Sequence, residues 1–598
     1  MCGFIGVVGD SDRDEIASMC GQIAHRGPDD EAYWFNHDGS TPVAFGFRRL
    51  SILDVEGGRQ PMISADGSLV IVFNGEIYNH RELRHELEGR GHRFETDHSD
   101  TEVLLYAYLE WGRQNMCDHL NGMFAFAIFD RTQHLIFLAR DRFAKKPLYY
   151  SLSANHFIFA SELTAVACHS SISTEIDRES LMRYFAFGYI PPPGSLLKGV
   201  KKLAGGDFAT YHVDSHTIDV GSYWRYRVEA SARTSGTEDD WADELRSRIK
   251  DSVVRRLDSD VPLGFFLSGG LDSTAILALA RDHLGNQPID TFTMGVADPS
   301  YDERRQAEQT SKLFGTRHHQ RVLDFEAASE LIDGLLQKVD EPIADPSILP
   351  TYLVSAFARE TVTVAIGGDG GDELFAGYDT FAAFGLARSY AKLMPRTLHP
   401  LAQRIAQLLP RRTTNLSFDF KLRRALRGLS YDMPFWQPQW LAPASIEEIG
   451  IMFGEPISPE RIYGDVLDVW NTNQTHDPRD QLLEYYGNFY LPYDVMAKVD
   501  RASMLCSLEV RAPLLDVDVV SFCLSLPYET KHKGRSRKWI LRKALSRDLP
   551  QHSLRHPKQG FSIPVADWLR RISMPDLARS EEIGINTNYL RDCWRDHQ

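Results

Sequence analysis

Short apolar runs separated by turn residues fill the first third of the chain. Phe4–Val8, Leu69–Phe73, Phe124–Phe129, Leu135–Ala139 and Phe157–Ala160 are rich in β-branched and aromatic residues. Their polar–apolar alternation is weak, which marks strands covered on both faces. Helical spacing intervenes at His80–Arg90 and Thr101–Trp111. The pattern predicts a layered α+β domain with two stacked sheets over residues 2–212. Residues 213–240 read as a linker, with the polar turn-former run Thr234-Ser235-Gly236-Thr237 near its end. From residue 241 the pattern changes to strand Val261–Leu267, helix Thr274–Asp282, strand Thr291–Met294, helix Arg304–Phe314 and strand Thr361–Ile366. Strands alternating with helices predict a parallel sheet in a second domain, 241–598. Leu- and Arg-rich helical segments follow from Ala376 onward.

Composition narrows the class. A chain of 598 residues exceeds a single core. Its net charge of −16 argues against nucleic acid or an anionic membrane as the main partner, because both select basic surfaces. The seven cysteines are scattered without a Cys-x-x-Cys pair, so neither a disulfide framework nor a zinc site is expected. No run approaches the ~20 apolar residues of a membrane helix. Acidic residues after Val8 exclude a signal peptide, and a cytoplasmic protein is expected.

Chemistry begins at Cys2. Loss of Met1 would leave a cysteine with a free α-amine, and reference pKa values of ~8.5 and ~7.7–8.0 let the amine take the thiol proton near neutrality. A buried cysteine in a first strand is by itself more often packing. Four polar clusters accompany it: His25-Arg26-Gly27-Pro28-Asp29, Arg49-Leu50-Ser51-Ile52-Leu53-Asp54, Asn74-Gly75-Glu76-Ile77-Tyr78-Asn79 and Ser99-Asp100-Thr101-Glu102. Alone, each reads as turn or cap chemistry, with Asn74-Gly75 a good hairpin turn.

Together, in this order and spacing, they resemble the glutaminase domain of class II glutamine amidotransferases, an N-terminal nucleophile fold of αββα layers. The resemblance implies that Cys2 attacks the side-chain amide of glutamine. Asn74 and the Gly75 N–H would hold the oxyanion, and Arg49 would clamp the α-carboxylate. Leu50, Ser51, Ile52 and Leu53 would line the glutamine site, while Glu76 and Asp100 face the α-ammonium. One departure is Ala144, in Arg140-Asp141-Arg142-Phe143-Ala144-Lys145-Lys146-Pro147, where the family carries glycine. A positive φ there would cost about 1 kcal/mol or more.

A second constellation follows the strand at Phe265-Phe266-Leu267. Ser268-Gly269-Gly270-Leu271-Asp272-Ser273 leads into a helix, so backbone N–H groups and the helix start favour a phosphate. The Lys-Ser/Thr ending of a Walker A loop is missing. Later, Gly367-Gly368-Asp369-Gly370-Gly371-Asp372-Glu373 packs three acids among glycines, which requires a cation or an incoming positive charge. These segments resemble the ATP-pyrophosphatase (Rossmann-like) domain, with C-terminal helical additions, of the glutamine-hydrolysing asparagine synthetase family. So do Lys498–Met504, Leu508–Asp516 and Arg537–Arg542. The resemblance implies ATP contacts at Phe266, Leu267, Ser268, Gly269, Gly270, Asp272, Ser273, Met294, Gly367 and Gly368, and Mg²⁺ on Asp272 and Asp372. Asp369, where well-known members carry glutamate, would take a proton from ammonia, and Lys538 would neutralise the adenylating transition state. The bland reading of Lys538 is a solvated basic helix face.

These features imply a ligase that makes asparagine from aspartate, glutamine and ATP, through a Cys2 thioester, an acyl-adenylate and a largely apolar internal ammonia channel. Rival readings are the same chemistry on a carboxylate of envelope or exopolysaccharide biosynthesis, and a silent scaffold paralogue. Partners are expected to be small molecules, with the oligomeric state open, a homodimer included. His318-His319, His552 with His556, and Cys506 with Cys523 are read as packing or surface residues.

Overall fold

The computed structural model describes residues 2–36, 41–229, 235–296, 298, 302–323, 334–335, 338–408, 418–555, 585–587 and 589–591. His556, residues 230–234 and most of the last thirty-odd residues lie outside them; the expected linker 213–240 is shorter than that, because the strand Thr217–Ser222 and the start of the helix Glu238–Arg255 fall within it.

The N-terminal half is built from two six-stranded antiparallel sheets. The first contains β1 (Gly3–Val8), β2 (Asp30–Asn36), β3 (Val43–Arg49), β8 (Tyr149–Leu152), β9 (Phe157–Ala160) and β10 (Val200–Lys202), in the order β10-β8-β9-β1-β3-β2. The second contains β4 (Met62–Ile63), β5 (Leu69–Ile77), β6 (Gly122–Asp130), β7 (Leu135–Arg140), β11 (Asp207–His212) and β12 (Thr217–Ser222), in the order β12-β11-β7-β6-β5-β4. Phe4, Phe45 and Phe47 of one sheet meet Val70, Val72 and Ala125 of the other in the central core. On the outer faces, Ile5 and Val7 pack against Ile16 and Met19 of the helix Arg13–Gln22. Ile71 and Phe73 pack against Val103 and Leu104 of the helix Asp100–His119. Helix layers therefore cover both outer faces, which is why these strands show no alternation. Asn74-Gly75 is not a hairpin turn: β5 runs through it to Ile77.

The second half carries a five-stranded parallel sheet of β13 (Leu263–Phe266), β14 (Asp290–Val296), β15 (Arg317–Leu323), β16 (Val364–Ile366) and β17 (Glu509–Arg511). Its order is β15-β14-β13-β16-β17. Chain order reverses between β13 and β16, the topological switch point at which open parallel sheets bind ligands beyond the carboxyl ends of their strands. The loops after both strands, Ser268–Gly270 and Gly367–Gly370, emerge there. The helix Leu271–Leu284 covers one face and Ile348–Arg359 the other. The expected strand Thr361–Ile366 is paired only from Val364. Helices then dominate to Arg555.

Candidate active sites

Cys2 precedes β1 and is buried, 8% exposed. Its backbone N donates to Asn74 Oδ1 at 3.2 Å, and its thiol lies 3.9 Å from the Leu50 carbonyl. Burial pushes the thiol above its ordinary pKa, against the opposing charge of Arg49. Asn74 Nδ2 is buried with no hydrogen-bond partner, so a donor stands beside Cys2 with its capacity unspent. Next to it, a Cβ on Gly75 would sit 2.1 Å from the Met123 carbonyl oxygen, so the close approach of β5 to β6 demands glycine.

Arg49 is buried at the end of β3, and its guanidinium donates to the carbonyls of Val55 at 2.7 Å and Asp54 at 2.8 Å, tying down the loop that follows. Within that loop Leu50, Ile52 and Leu53 are buried, and the Ser51 N–H donates to Asp29 at 2.8 Å. Glu76 and Asp100 are buried nearby, and burial raises both carboxyls. The Arg511 guanidinium stands 3.4 Å from Glu76 and 2.6 Å from Glu509. Both Glu509 and Arg511 lie on β17, so the parallel-sheet half supplies part of the charge around Cys2. Nothing local in Glu509-Val510-Arg511 says which domain it faces, so the sequence alone gives these residues no role.

The second site is a cleft of about 830 Å³ at the switch point. Phe266, Leu267, Ser268, Gly270, Asp272 and Ser273 line it from the β13 side. Gly367, Gly368, Asp369 and Asp372 line it beyond β16, and Met294 lines it from β14 on the other flank of β13. Gly269 does not reach it; that residue packs against Gln306 and Ala307, and its carbonyl accepts the Ser553 hydroxyl at 3.1 Å. Lys538 is buried rather than solvated, against the bland reading. Its Nζ lies 2.5 Å from Asp272 and 2.7 Å from Asp372. Its backbone is left-handed, φ 53°, at the start of the helix Trp539–Ala544, a conformation that costs a non-glycine residue about 1 kcal/mol or more. Gly377 makes room for the pair, because a Cβ there would lie 2.0 Å from Asp372 Oδ1. The two carboxylates suit Mg²⁺, which takes one or two carboxylates and completes its shell with phosphate oxygens and water. Asp272 Oδ1 is buried without a hydrogen-bond partner, consistent with such a ligand. Among the described residues no group of three or more His, Cys, Asp and Glu is placed to hold a metal on its own.

Between the sites lies a void of about 10 Å³ lined by Lys145, Lys146, Asp369, Asp500 and Met496, among others, so its wall is heavily charged rather than largely apolar as expected. Asp369 borders both this void and the large cleft. On the other side, Arg26 donates to the Cys2 carbonyl at 3.1 Å and pairs with Asp500 at 2.9 Å, while Lys146 reaches Asp500 at 3.1 Å. A buried chain of polar contacts thus joins Cys2 to the wall of the void. Lys145 is also buried, and burial, with Arg256 and Lys146 nearby, brings its pKa down to about 7. Ala144 beside it has φ 50°, the left-handed geometry its glycine-like position suggested. His318 and His319 diverge on β15, His318 toward Thr291 and His319 toward Asp290. Cys506 and Cys523 are pushed up to about 12 by burial, as packing thiols.

Comparison with known proteins agrees with this geometry. Residues 1–224 match the glutamine amidotransferase domain model, and residues 244–598 match that of asparagine synthase. Asparagine synthetase 1 (glutamine-hydrolyzing) of Bacillus subtilis is 35% identical over 581 residues, covering 95% of this chain and 88% of that protein. Asparagine synthetase 3 (glutamine-hydrolyzing) of the same species is 31% identical over 606 residues, covering 96% and 90%. A third, asparagine synthetase 2 (glutamine-hydrolyzing), is 32% identical over 602 residues, covering 94% and 72%. Fold, sites and matches define a carbon–nitrogen ligase that takes its nitrogen from glutamine. The chain belongs to the glutamine-hydrolysing asparagine synthetase family.

Proposed function

We propose that this ligase converts aspartate to asparagine, with ATP cleaved to AMP and PPi. Removal of Met1 frees the α-amine of Cys2, whose thiolate attacks the glutamine amide. Asn74 Nδ2 and the Gly75 N–H stabilise the oxyanion, an effect worth on the order of ~3 kcal/mol per donor. Arg49 orients the α-carboxylate, and Glu76 and Asp100 the α-ammonium. In the second cleft, backbone amides around Ser268–Ser273 receive the phosphates and Lys538 offsets the charge that develops on adenylation. Mg²⁺ held by Asp272 and Asp372 would screen the pyrophosphate. Ammonia crosses the void and meets Asp369 as the base at the acyl-adenylate. The observation that carries this reading is the position of Asp369, on the wall shared by the void and the cleft.

Acceptor identity is tested by ATP–pyrophosphate exchange. Aspartate-dependent exchange supports asparagine synthesis. Exchange that ignores aspartate but responds to a sugar or envelope carboxylate transfers the same chemistry to another acceptor.

Lys145 gives the passage a pH signature. Below about pH 7 its ammonium is charged and is drawn toward Asp141 and, more weakly, toward Asp369; above, it is neutral and that pull on Asp369 is gone. The ratio of amide product to glutamate is expected to rise as pH increases through that value. Lys145→Met should hold the ratio high and flat, and Lys145→Arg should hold it low. An unchanged profile in Lys145→Met removes Lys145 from the passage.

A further inference from the structure

No Asp or Glu occurs from Thr380 to Phe418, whereas Arg388, Lys392, Arg396, Arg404, Arg411 and Arg412 all fall there. In a chain of net charge −16 this is a local reversal of sign. The helices Asp379–Leu393 and His399–Gln407 carry three of the six, Arg388, Lys392 and Arg404. They are joined by the Tyr390 hydroxyl and the His399 ring at 3.1 Å, and His399 also bonds the Leu426 carbonyl at 2.9 Å on the helix Phe418–Gly428.

The second helix is turned inside out. Its inward positions are His399, Gln403 and Ala406, with Gln403 donating to the Ser430 hydroxyl at 2.7 Å. Its outward positions are Leu401, Ile405 and Leu408, exposed by 57%, 58% and 84%, with Arg404 between them. On the preceding helix, Leu386 and Leu393 stand two turns apart and are 76% and 84% exposed. Helical residues at this spacing form one stripe. A helix that turns large apolar side chains outward with a cation among them marks an interaction surface rather than scattered exposure.

We propose that this face docks on an anionic lipid bilayer, its leucines entering the headgroup boundary while the exposed Lys392 and Arg404 meet the lipid phosphates. Charge selects this occupant. A second copy joined about a two-fold axis would press these cations against themselves. Amphipathic helices of this kind lie in the membrane plane, and among the described residues no helix is long and apolar enough to cross it. The surface as a whole is acidic, and this face is its exception. Docking here leaves the chemistry of both sites untouched.

The test is co-sedimentation of the full chain with vesicles of phosphatidylcholine, with and without phosphatidylglycerol. Binding is expected only with phosphatidylglycerol, and it should fall as salt screens the contact. The triple variant Leu401→Ser, Ile405→Ser, Leu408→Ser and the double variant Lys392→Glu, Arg404→Glu should each weaken it by about tenfold or more. These side chains are exposed, so glutamine hydrolysis should be unchanged and reports folding. The proposal fails if the wild-type chain ignores phosphatidylglycerol vesicles, or if the leucine variant binds them equally well. It also fails if the leucines instead support self-association that the triple variant abolishes while lipid binding is absent.

Discussion

Cys2→Ala is expected to abolish amide formation from glutamine while leaving synthesis from added ammonium salts near its wild-type rate. The substitution removes one sulfur from a residue whose neighbours hold the pocket without it. Arg26 bonds the Cys2 carbonyl, and Asn74 receives the Cys2 backbone nitrogen. Neither contact involves the thiol, so folding should survive. Loss of a covalent nucleophile leaves only binding and oxyanion stabilisation, and glutamine hydrolysis should fall by several orders of magnitude. Ammonium enters the synthetic reaction after that step and needs no thiol. Loss of both activities would mean that the variant disturbs the Arg26–Asp500 connection between the domains. Full retention of glutamine use would assign the nucleophile elsewhere.

The second large effect is expected at Lys538. Its ammonium stands between Asp272 and Asp372, and Lys538→Met leaves two carboxylates in a partly dry cleft with no cation between them. Breaking a buried ion pair in this way destabilises by about 3–5 kcal/mol, some of which bound Mg²⁺ can restore. The larger consequence is kinetic. Removing a preorganised charge from a developing transition state costs about 10²–10³ in rate, and ATP–pyrophosphate exchange should fall by at least that much. Glutamine hydrolysis at Cys2 should persist, which separates a catalytic loss from an unfolded protein. Lys538→Arg supplies a second control, because it keeps the charge but not the compact ammonium that fits beside Gly377. Equal exchange rates in wild type and Lys538→Met would remove Lys538 from adenylation.

Much of this was readable from the chain because the chemistry is local in sequence. Ser268–Ser273 and Gly367–Asp372 each follow a strand directly, so recognising the strand placed the loop. The double-layered core hid the strand faces, since Phe4 and Ile5 are equally buried against different layers. That also disguised Asn74-Gly75, whose turn-like composition sits inside a strand because the glycine is needed for contact with Met123. What composition could not give is arrival from a distance. Glu509 and Arg511 reach the surroundings of Cys2 only because β17 joins the sheet after a long helical excursion, and Lys145 acquires its character from burial and then from Arg256, far along the chain. The outward leucines are illegible in the sequence for the opposite reason: helical periodicity reveals a stripe but not which way it faces.

The division of labour between the two sites is tested most directly by oxygen tracing. A carboxylate acceptor that supports pyrophosphate exchange is labelled with ¹⁸O and turned over by the Cys2→Ala variant with ammonium. An acyl-adenylate transfers one labelled oxygen to AMP, and this is the predicted result. AMP free of label, or label recovered in pyrophosphate or inorganic phosphate, would contradict it.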